Sequence, residues 1–165
     1  MNSYYSGRSS RTSRAMTGSS PAESAAPNRR QTMSRVFDHI PDSHKDILES
    51  ECYAHVATLR PDGQISSHPV CLLWDGEYVR FSTTRSRQKV RNLEADSRLA
   101  ISAAHPENAW HYLEIRGTAE LADDPDRIAI DAVAQKYMGQ ERYDLDPPDT
   151  ERVTVTVRIK QVSVE

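Results

Sequence analysis

The segment Phe81 to Leu93 reads FSTTRSRQKVRNL, and its residue types suggest an anion-binding site. Four cations and no acid occur within seven residues, at Arg85, Arg87, Lys89 and Arg91. Four hydroxyl side chains accompany them, at Ser82, Thr83, Thr84 and Ser86. The pattern is typical of a strand that leads into a helix, and the free backbone N–H groups at a helix start attract anions. Because cations are unfavourable at a helix N-terminus, we expect an anion to bind here.

Helical geometry limits how many of these cations can meet one anion. Arg87 and Arg91 share a helix face through their i, i+4 spacing, whereas Lys89 points elsewhere. A second interpretation stays open at this point. In it, the cations form a solvated basic face that pairs with Glu94 and Asp96.

Familiar catalytic motifs are missing from the sequence. It has no nucleophile elbow, no glycine-rich phosphate loop and no triad pattern, so the catalytic residues stay unknown. The cysteines Cys52 and Cys71 give no disulfide framework and the six histidines have no metal-ligand spacing, so no metal is predicted. Four residues are weak candidates for a proton donor, with packing or surface roles as the alternative: His68, His105, His111 and Tyr112.

Charge divides the chain of 165 residues into two parts. Residues 1–35 carry six arginines against one acid, whereas the remainder carries 15 basic and 23 acidic residues. The acidic remainder argues against broad nucleic-acid binding. Neither a membrane-spanning apolar run nor a signal peptide is present, so we expect a cytoplasmic protein without membrane contact. Residues 1–38 are rich in Ser and Arg and are predicted to be a disordered tail, followed by one domain over 39–165.

The domain is predicted to be mainly β. Alternating and β-rich runs indicate six strands, at residues 52–59, 64–74, 77–83, 98–104, 111–121 and 152–164. Turn signals at 60–63 and 75–76 predict two successive hairpins, hence a meander. Helices are expected at 41–50, 87–95 and 123–139, with Ser43 and Asp124 as N-caps and Gly139 at a C-terminus. We therefore expect a six-stranded antiparallel split barrel with two or three inserted helices.

Three stretches in order give the chain a family resemblance. They are ILESECYAHVATLRPDGQISSHPV, WDGEYVRFSTTRSRQKVRNLEADSRLAIS and AWHYLEIRGTAEL. Over about residues 43–165 the chain resembles the pyridoxamine 5′-phosphate oxidase-like, FMN-binding split barrels, especially the branch that uses the deazaflavin coenzyme F-420. The resemblance implies that the RxKxRNL stretch holds the cofactor phosphate. Its members here are Arg87, Lys89, Arg91, Asn92 and Leu93.

The same resemblance implies a homodimer with a shared cofactor groove at its interface. The positions expected beside the cofactor ring are Ser66, His68, Pro69 and Val70, and Ser82 and Thr83 would lead to the phosphate. Trp110 stands where the family often offers an aromatic side chain from the partner subunit. For Pro69 the alternative is an ordinary edge strand, and for Trp110 it is a core aromatic.

The function implied is an F-420-dependent oxidoreductase that passes hydride between the deazaflavin and an unsaturated small-molecule acceptor. The surplus of cations at 85–91 favours F-420, which is more anionic than FMN. The sequence given stops at RIKQVSVE, without the basic C-terminal segment of true pyridoxamine-phosphate oxidases, so we do not expect their reaction. Two alternatives remain: an FMN-binding oxidase or reductase of the same fold, and a non-catalytic protein that sequesters flavin or haem.

Overall fold

The computed structural model describes residues 35–164 of the chain. Most of the tail predicted over residues 1–38 therefore lies outside the described residues. Arg35–Phe37 nevertheless form a first strand, with Arg35 opposite Val164 and Phe37 opposite Val162. Regular structure therefore begins before residue 39, the position where the sequence placed the start of the domain.

The domain is an antiparallel sheet that curls around one core. Among residues 35–164 it has eight strands, where six were predicted. They are β1 (Arg35–Phe37), β2 (Tyr53–Leu59), β3 (Ile65–Cys71), β4 (Leu73–Trp74), β5 (Val79–Thr84), β6 (Arg98–His105), β7 (Asn108–Asp123) and β8 (Arg152–Val164). The two additional strands are β1 and β4, and β4 arises because Leu72 interrupts the run predicted as one strand over 64–74. The mainly β, split-barrel fold class is confirmed.

The split of the barrel lies between β3 and β5. Neighbouring strands follow the order β3, β2, β6, β7, β8, β5, β4, so β3 and β4 end the sheet on opposite sides although only Leu72 separates them in sequence. Both predicted hairpins form, β2 with β3 and β4 with β5, but they do not make a continuous meander, because β5 pairs with β4 and β8 rather than with β3. Pro69 therefore sits on an edge strand, where its missing N–H breaks no inner ladder.

Within residues 35–164, three α-helices lie outside the sheet: α1 (Lys45–Glu49), α2 (Gln88–Ala95) and α3 (Ile128–Met138). Helix α2 begins within a residue of its prediction. The other two start later than expected. A short 3-10 helix, Asp42–His44, precedes α1. Ser43, the predicted N-cap, lies inside this 3-10 helix, and no side chain caps α1. None of the helices in residues 35–164 is long and apolar enough to cross a membrane.

The end signals of α3 were only partly understood from sequence. Asp124 caps the helix, since its carboxylate accepts from the N–H groups of Ile128 and Ala129 at 2.9 and 3.0 Å. It does so across a turn, because Arg127 intervenes with a left-handed φ of 61°. Gly139 ends the helix in the left-handed conformation, as predicted.

The interior is built from strand residues that alternate inward. Its largest fully buried side chains include Phe81, Ile101, Leu113, Ile115 and Val155. Opposite strand faces stay open to solvent, and the outer face of β2 and β3 carries exposed apolar side chains. The core thus fixes β3 and β5 on either side of the split.

Candidate functional site

A groove of about 940 Å³ follows the split of the barrel. One wall comes from His68 and Pro69 on β3, and the floor comes from the end of β5 with the segment that enters α2. The loop from Tyr143 to Arg152 forms the other wall. The groove is large enough for a flavin-sized molecule, since ligand pockets usually measure about 300–1,000 Å³.

The N-terminus of α2 opens into this groove. Arg87 is the N-cap residue, with extended φ and ψ of −72° and 145°, and no side chain caps the helix. Its own N–H is used by the carbonyl of Thr84 at 3.1 Å. A helix start without a side-chain cap presents free N–H groups and partial positive charge, which suits an anion.

The position of α2 is fixed by a buried amide. Asn92 is fully buried, and its Nδ2 donates to Thr58 Oγ1 on β2 at 2.9 Å. Its Oδ1 accepts from Gln88 Nε2 at 2.8 Å. Asn92 was predicted to bind the cofactor, but in the structure its side-chain contacts are with protein. It holds the helix against the sheet, and thereby the residues at the helix start.

The four cations of the opening segment divide into two pairs. Arg85 donates to Glu94 Oε1 at 3.1 Å and also pairs with Asp123, and Arg91 donates to the Ser86 carbonyl at 2.8 Å. Arg87 and Lys89 line the groove and have no ion pair among residues 35–164.

The alternative of a solvated, paired basic face therefore fits Arg85. Glu94 pairs with Arg85, and Asp96 pairs with Arg98 rather than with the cluster. Two cations remain available to a ligand.

The electrostatics of the groove follow from burial and from cation–cation repulsion. Lys89 is half-buried, and burial lowers the pKa of its ammonium, with the charge of Arg87 adding to the effect. Burial also lowers the pKa of His68, and the charges of Lys89 and then Arg87 lower it further. The charged form of His68 is therefore disfavoured beside two cations, and an anion in the groove would stabilise the charged forms of all three groups.

Two polar atoms in the groove have no hydrogen-bond partner among residues 35–164. They are Nδ1 of His68 and Oγ of Ser82, and both are shielded from solvent. Buried polar atoms without partners are rare and destabilising unless a ligand or water satisfies them. Together with the start of α2 and the two unpaired cations, they form a donor set that fits a phosphate-bearing cofactor.

The ten residues predicted to contact the cofactor separate into two sets. The structure brings six together in the groove: His68, Pro69, Ser82, Thr83, Arg87 and Lys89. Of the other four, Ser66 lies on β3 opposite Thr58, and Val70 is buried in the core opposite Ala54. Asn92 anchors α2, and Trp110 on β7 is 87% exposed, so it is not the core aromatic of the alternative interpretation.

No local sequence pattern indicates that the loop from Tyr143 to Arg152 lines the groove. Asp146 holds this loop in place, since it pairs with Arg152 and with Arg127, the latter at 2.9 Å. Arg152 and then Arg127 lower the pKa of its carboxyl by hydrogen bonding. Thr84 pairs with Arg152, and this register brings the loop to the groove. Only a prediction of that long-range strand pairing would have placed the loop at the site.

The remaining histidines considered as proton donors lie elsewhere. His111 shares a bond with Asp46, Nε2 to Oδ2 at 2.9 Å, and its ring is 6.0 Å from that of His105. Neither residue lines the groove, whereas His68 does. Among residues 35–164 no three His, Cys, Asp or Glu side chains are arranged to hold a metal ion.

Comparisons with solved structures agree with this architecture. An F-420 reductase is 33% identical, with a TM-score of 0.68, over 74% of this chain and 98% of that chain. A conserved hypothetical protein from Mycobacterium tuberculosis is 21% identical, with a TM-score of 0.63, over 78% and 87% of the two chains. General Stress Protein 26 from Bacillus anthracis is 16% identical, with a TM-score of 0.56, over 74% and 91%. The last two likenesses show the fold alone.

A comparison with curated proteins finds no match. The family model for pyridoxamine 5′-phosphate oxidase matches residues 40–164, which include every strand of the barrel except β1 and every residue of the groove. Given that match, the split between β3 and β5 and the phosphate-type donor set within it, the chain belongs to the pyridoxamine 5′-phosphate oxidase family.

Proposed function

We propose that this protein is an oxidoreductase that binds coenzyme F-420 in the groove and catalyses hydride transfer between the deazaflavin and an unsaturated organic acceptor. The observation that supports it most is the anion subsite, where Arg87 and Lys89 stand unpaired at the start of α2. The 33% identity to an F-420 reductase favours this cofactor.

The residues of the groove would hold and orient the cofactor. Lys89, Arg87 and the Ser82 hydroxyl are donors placed for its phosphate, and charge-assisted bonds of this kind are among the strongest in proteins. The deazaflavin, when bound, would supply the two-electron hydride chemistry. Leu145 and Pro147 on the loop wall would cover the ligand and exclude water. Hydride transfer depends on positioning, so the absence of a triad motif in the sequence is compatible with this reaction.

A specific observation favours FMN as the second candidate. Only two of the four cations at 85–91 face the groove without a partner, which reduces the cation surplus that favoured the more anionic cofactor. The opposite wall carries Asp149 and Glu151, which have no ion pair among residues 35–164. These acids would repel the carboxylate-rich tail of F-420, whereas FMN ends at its phosphate.

We also propose that the protein acts as a homodimer with a shared groove. The support is an apolar cleft of about 470 Å³ on the outer face of β2, β3 and β6, lined by Ala57, Leu59, Ile65 and Ala100 among others. Ile65 is 73% exposed and Trp110 is 87% exposed. Large exposed apolar side chains of this kind are typical of a surface that another chain covers.

Parallel titrations with F-420 and FMN test the cofactor, followed by a panel of unsaturated acceptors with the reduced cofactor. Tighter binding of F-420 that weakens with salt, together with acceptor-dependent oxidation, is the expected result. If the protein binds FMN more tightly than F-420, or if FMN copurifies with it, FMN would replace F-420 as the proposed cofactor. Tight binding of either cofactor without turnover on any acceptor would point to the sequestering alternative.

A further inference from the structure

His68 occupies an unusual position in the groove. It lies on β3 opposite Val56 of β2, and its Nδ1 is shielded from solvent without a hydrogen-bond partner among residues 35–164. Across the split, β5 presents the equally unpartnered Ser82 Oγ. An orphaned imidazole nitrogen in a ligand groove points to contact with the ligand.

The charged groups around His68 come from three parts of the fold. From the start of α2 they are Lys89 and Arg87, both unpaired, and at the end of β5 Arg85, which is held by Glu94 and Asp123. From the loop wall they are Asp146 and Arg152, which pair with each other, and the unpaired Asp149 and Glu151 with the phenol of Tyr143. Among residues 35–164 the uncompensated charges that line the groove are therefore two cations, Lys89 and Arg87, and two acids, Asp149 and Glu151.

His68 lines the same groove as Lys89 and Arg87, the cations at the start of α2, whereas its sequence position suggested a place beside the cofactor ring. In the ligand-free protein, burial and then the charges of Lys89 and Arg87 lower the pKa of His68, so the imidazolium form is disfavoured. A bound anion reverses the sign of the local field, and imidazolium is then the favoured form because it gains an opposite charge and a charge-assisted hydrogen bond.

We propose that His68 is a ligand of the cofactor's phosphate that binds it in the protonated form, so that cofactor binding takes up protons. This inference rests on the proposed function, because it assumes that the groove binds a phosphate-bearing cofactor. Its consequence is a pH-dependent affinity. Since the bound state holds the extra proton, affinity rises as pH falls and decreases again as pH rises through the bound-state pKa of His68.

The first measurement is a pH titration of the His68 ring by NMR in the whole wild-type chain, assigned through its backbone. It is run in chloride and in sulfate at equal ionic strength, since sulfate is a divalent anion that does not titrate near neutral pH. We expect the pKa of His68 in chloride to lie below 6.5, its ordinary value, and to rise in sulfate by about one unit. An identical pKa in saturating sulfate and chloride would overturn the proposal.

The second measurement is calorimetry with F-420 at pH 6 to 8.5 in two buffers of different ionisation enthalpy, which counts the protons taken up. F-420 is suitable because its phosphodiester does not titrate in this range, whereas the phosphate of FMN has a second pKa of about 6. We expect affinity to fall about tenfold from pH 6 to pH 8, which corresponds to one pKa unit of coupling. His68→Gln should bind F-420 without proton uptake and with little pH dependence.

His39→Gln is the matched control, because His39 is exposed and lies outside both the groove lining and the cleft on β2, β3 and β6, and it should retain the wild-type pH dependence. Proton uptake that persists in His68→Gln, or an equal loss of affinity at every pH, would overturn the proposal. If sulfate shifts the pKa but neither F-420 nor FMN binds, the proposed function fails and the role of His68 as an anion ligand stands. Tight F-420 binding that leaves the pKa unmoved supports the function and rejects this inference.

Discussion

At the scale of single residues, Lys89 and Arg87 distinguish this groove from an ordinary basic surface. Arg85 and Arg91, only a few positions away, are already engaged by protein acceptors. Lys89 is half-buried without a counter-charge among the described residues, and its lowered pKa shows that the charged form is unfavourable in the empty protein. Binding of an anionic ligand would supply the missing counter-charge and would explain a lysine at this helix start.

The first residue-scale prediction concerns Lys89→Ala. Removing a charge-assisted hydrogen bond to phosphate forfeits roughly 1.5–3 kcal/mol, so cofactor affinity should fall about ten- to a hundred-fold. Turnover at saturating cofactor should change much less, because the phosphate anchors ground and transition states alike. The melting temperature of the empty protein should rise slightly, because an uncompensated, partly buried cation near a helix start is removed.

Lys45→Ala is the charge-matched control, since Lys45 pairs with Asp42 away from the groove. Cofactor titration and thermal melting of both variants decide the matter. If Lys89→Ala bound the cofactor with unchanged affinity, the cations of residues 85–91 would be a solvated basic face and not an anion-binding site.

At the scale of elements, the loop from Tyr143 to Arg152 behaves as a fixed wall because Asp146 ties it down. The two partners Arg152 and Asp146 are only 8% and 10% exposed, and Arg127 reaches the same carboxylate from the turn before α3. Arg127 also donates to the Tyr143 carbonyl at 3.0 Å. The left-handed φ of Arg127 is thus maintained by contacts that give the groove its second side.

Asp146→Asn should therefore weaken both the fold and the groove. Breaking a largely buried pair leaves arginines without their counter-charge, and we expect a loss of about 3 kcal/mol in the free energy of unfolding at pH 7. The native pKa of Asp146 is lowered, so its contribution is present above the ordinary carboxyl pKa and is lost as pH falls through the lowered value. The stability difference between wild type and variant should therefore shrink towards pH 3.

Urea unfolding at pH 7, 5, 4 and 3 measures this difference, and cofactor titration measures the loss of the wall. Asp144→Asn is the control, because Asp144 is an exposed acid of the same loop without an ion pair among residues 35–164. A stability difference that is the same at pH 7 and pH 3 would contradict an ionic role for Asp146.

The elements also show which parts of the site the sequence could predict. The junction from β5 to α2 depends on local rules of strand ending, helix start and charge, and it was found correctly. The loop wall depends on β8 lying beside β5, a pairing across some 70 residues of sequence that no local pattern encodes. The role of Asn92 in holding α2 could not be predicted for a similar reason, since its partner Thr58 lies on a distant strand. Trp110 was placed before the strand predicted over 111–121, whereas it lies within β7, and its exposure follows from no local pattern.

At the scale of the whole molecule, the outer face of the sheet carries the proposed contact between two copies. Ile65→Lys would place a charge in the lining of the apolar cleft on β2, β3 and β6, and burying it in an interface would be strongly unfavourable. We expect the wild type to have roughly twice the mass of 18.6 kDa in solution and the variant to be monomeric with much weaker cofactor binding.

Light scattering at micromolar concentration with a parallel cofactor titration makes this test. Ile128→Lys is the matched control, because Ile128 is 72% exposed on α3, outside the cleft lining, and its replacement should leave the mass unchanged. A monomeric wild type that binds cofactor fully would remove the shared-groove proposal.

The place of β8 in the sheet has a consequence for how the protein is made. It is the last strand in chain order, yet it lies inside the sheet, paired with β7, β5 and β1. During synthesis the strand edges of β5 and β7 that pair with β8 therefore stay unpaired until β8 leaves the ribosome. The free backbone N–H and C=O groups of such edges can pair with other chains. Contacts this distant in sequence also form slowly. We therefore expect the yield of soluble protein in a cell to depend on how fast β8 docks, a rate that the stability of the finished molecule does not report.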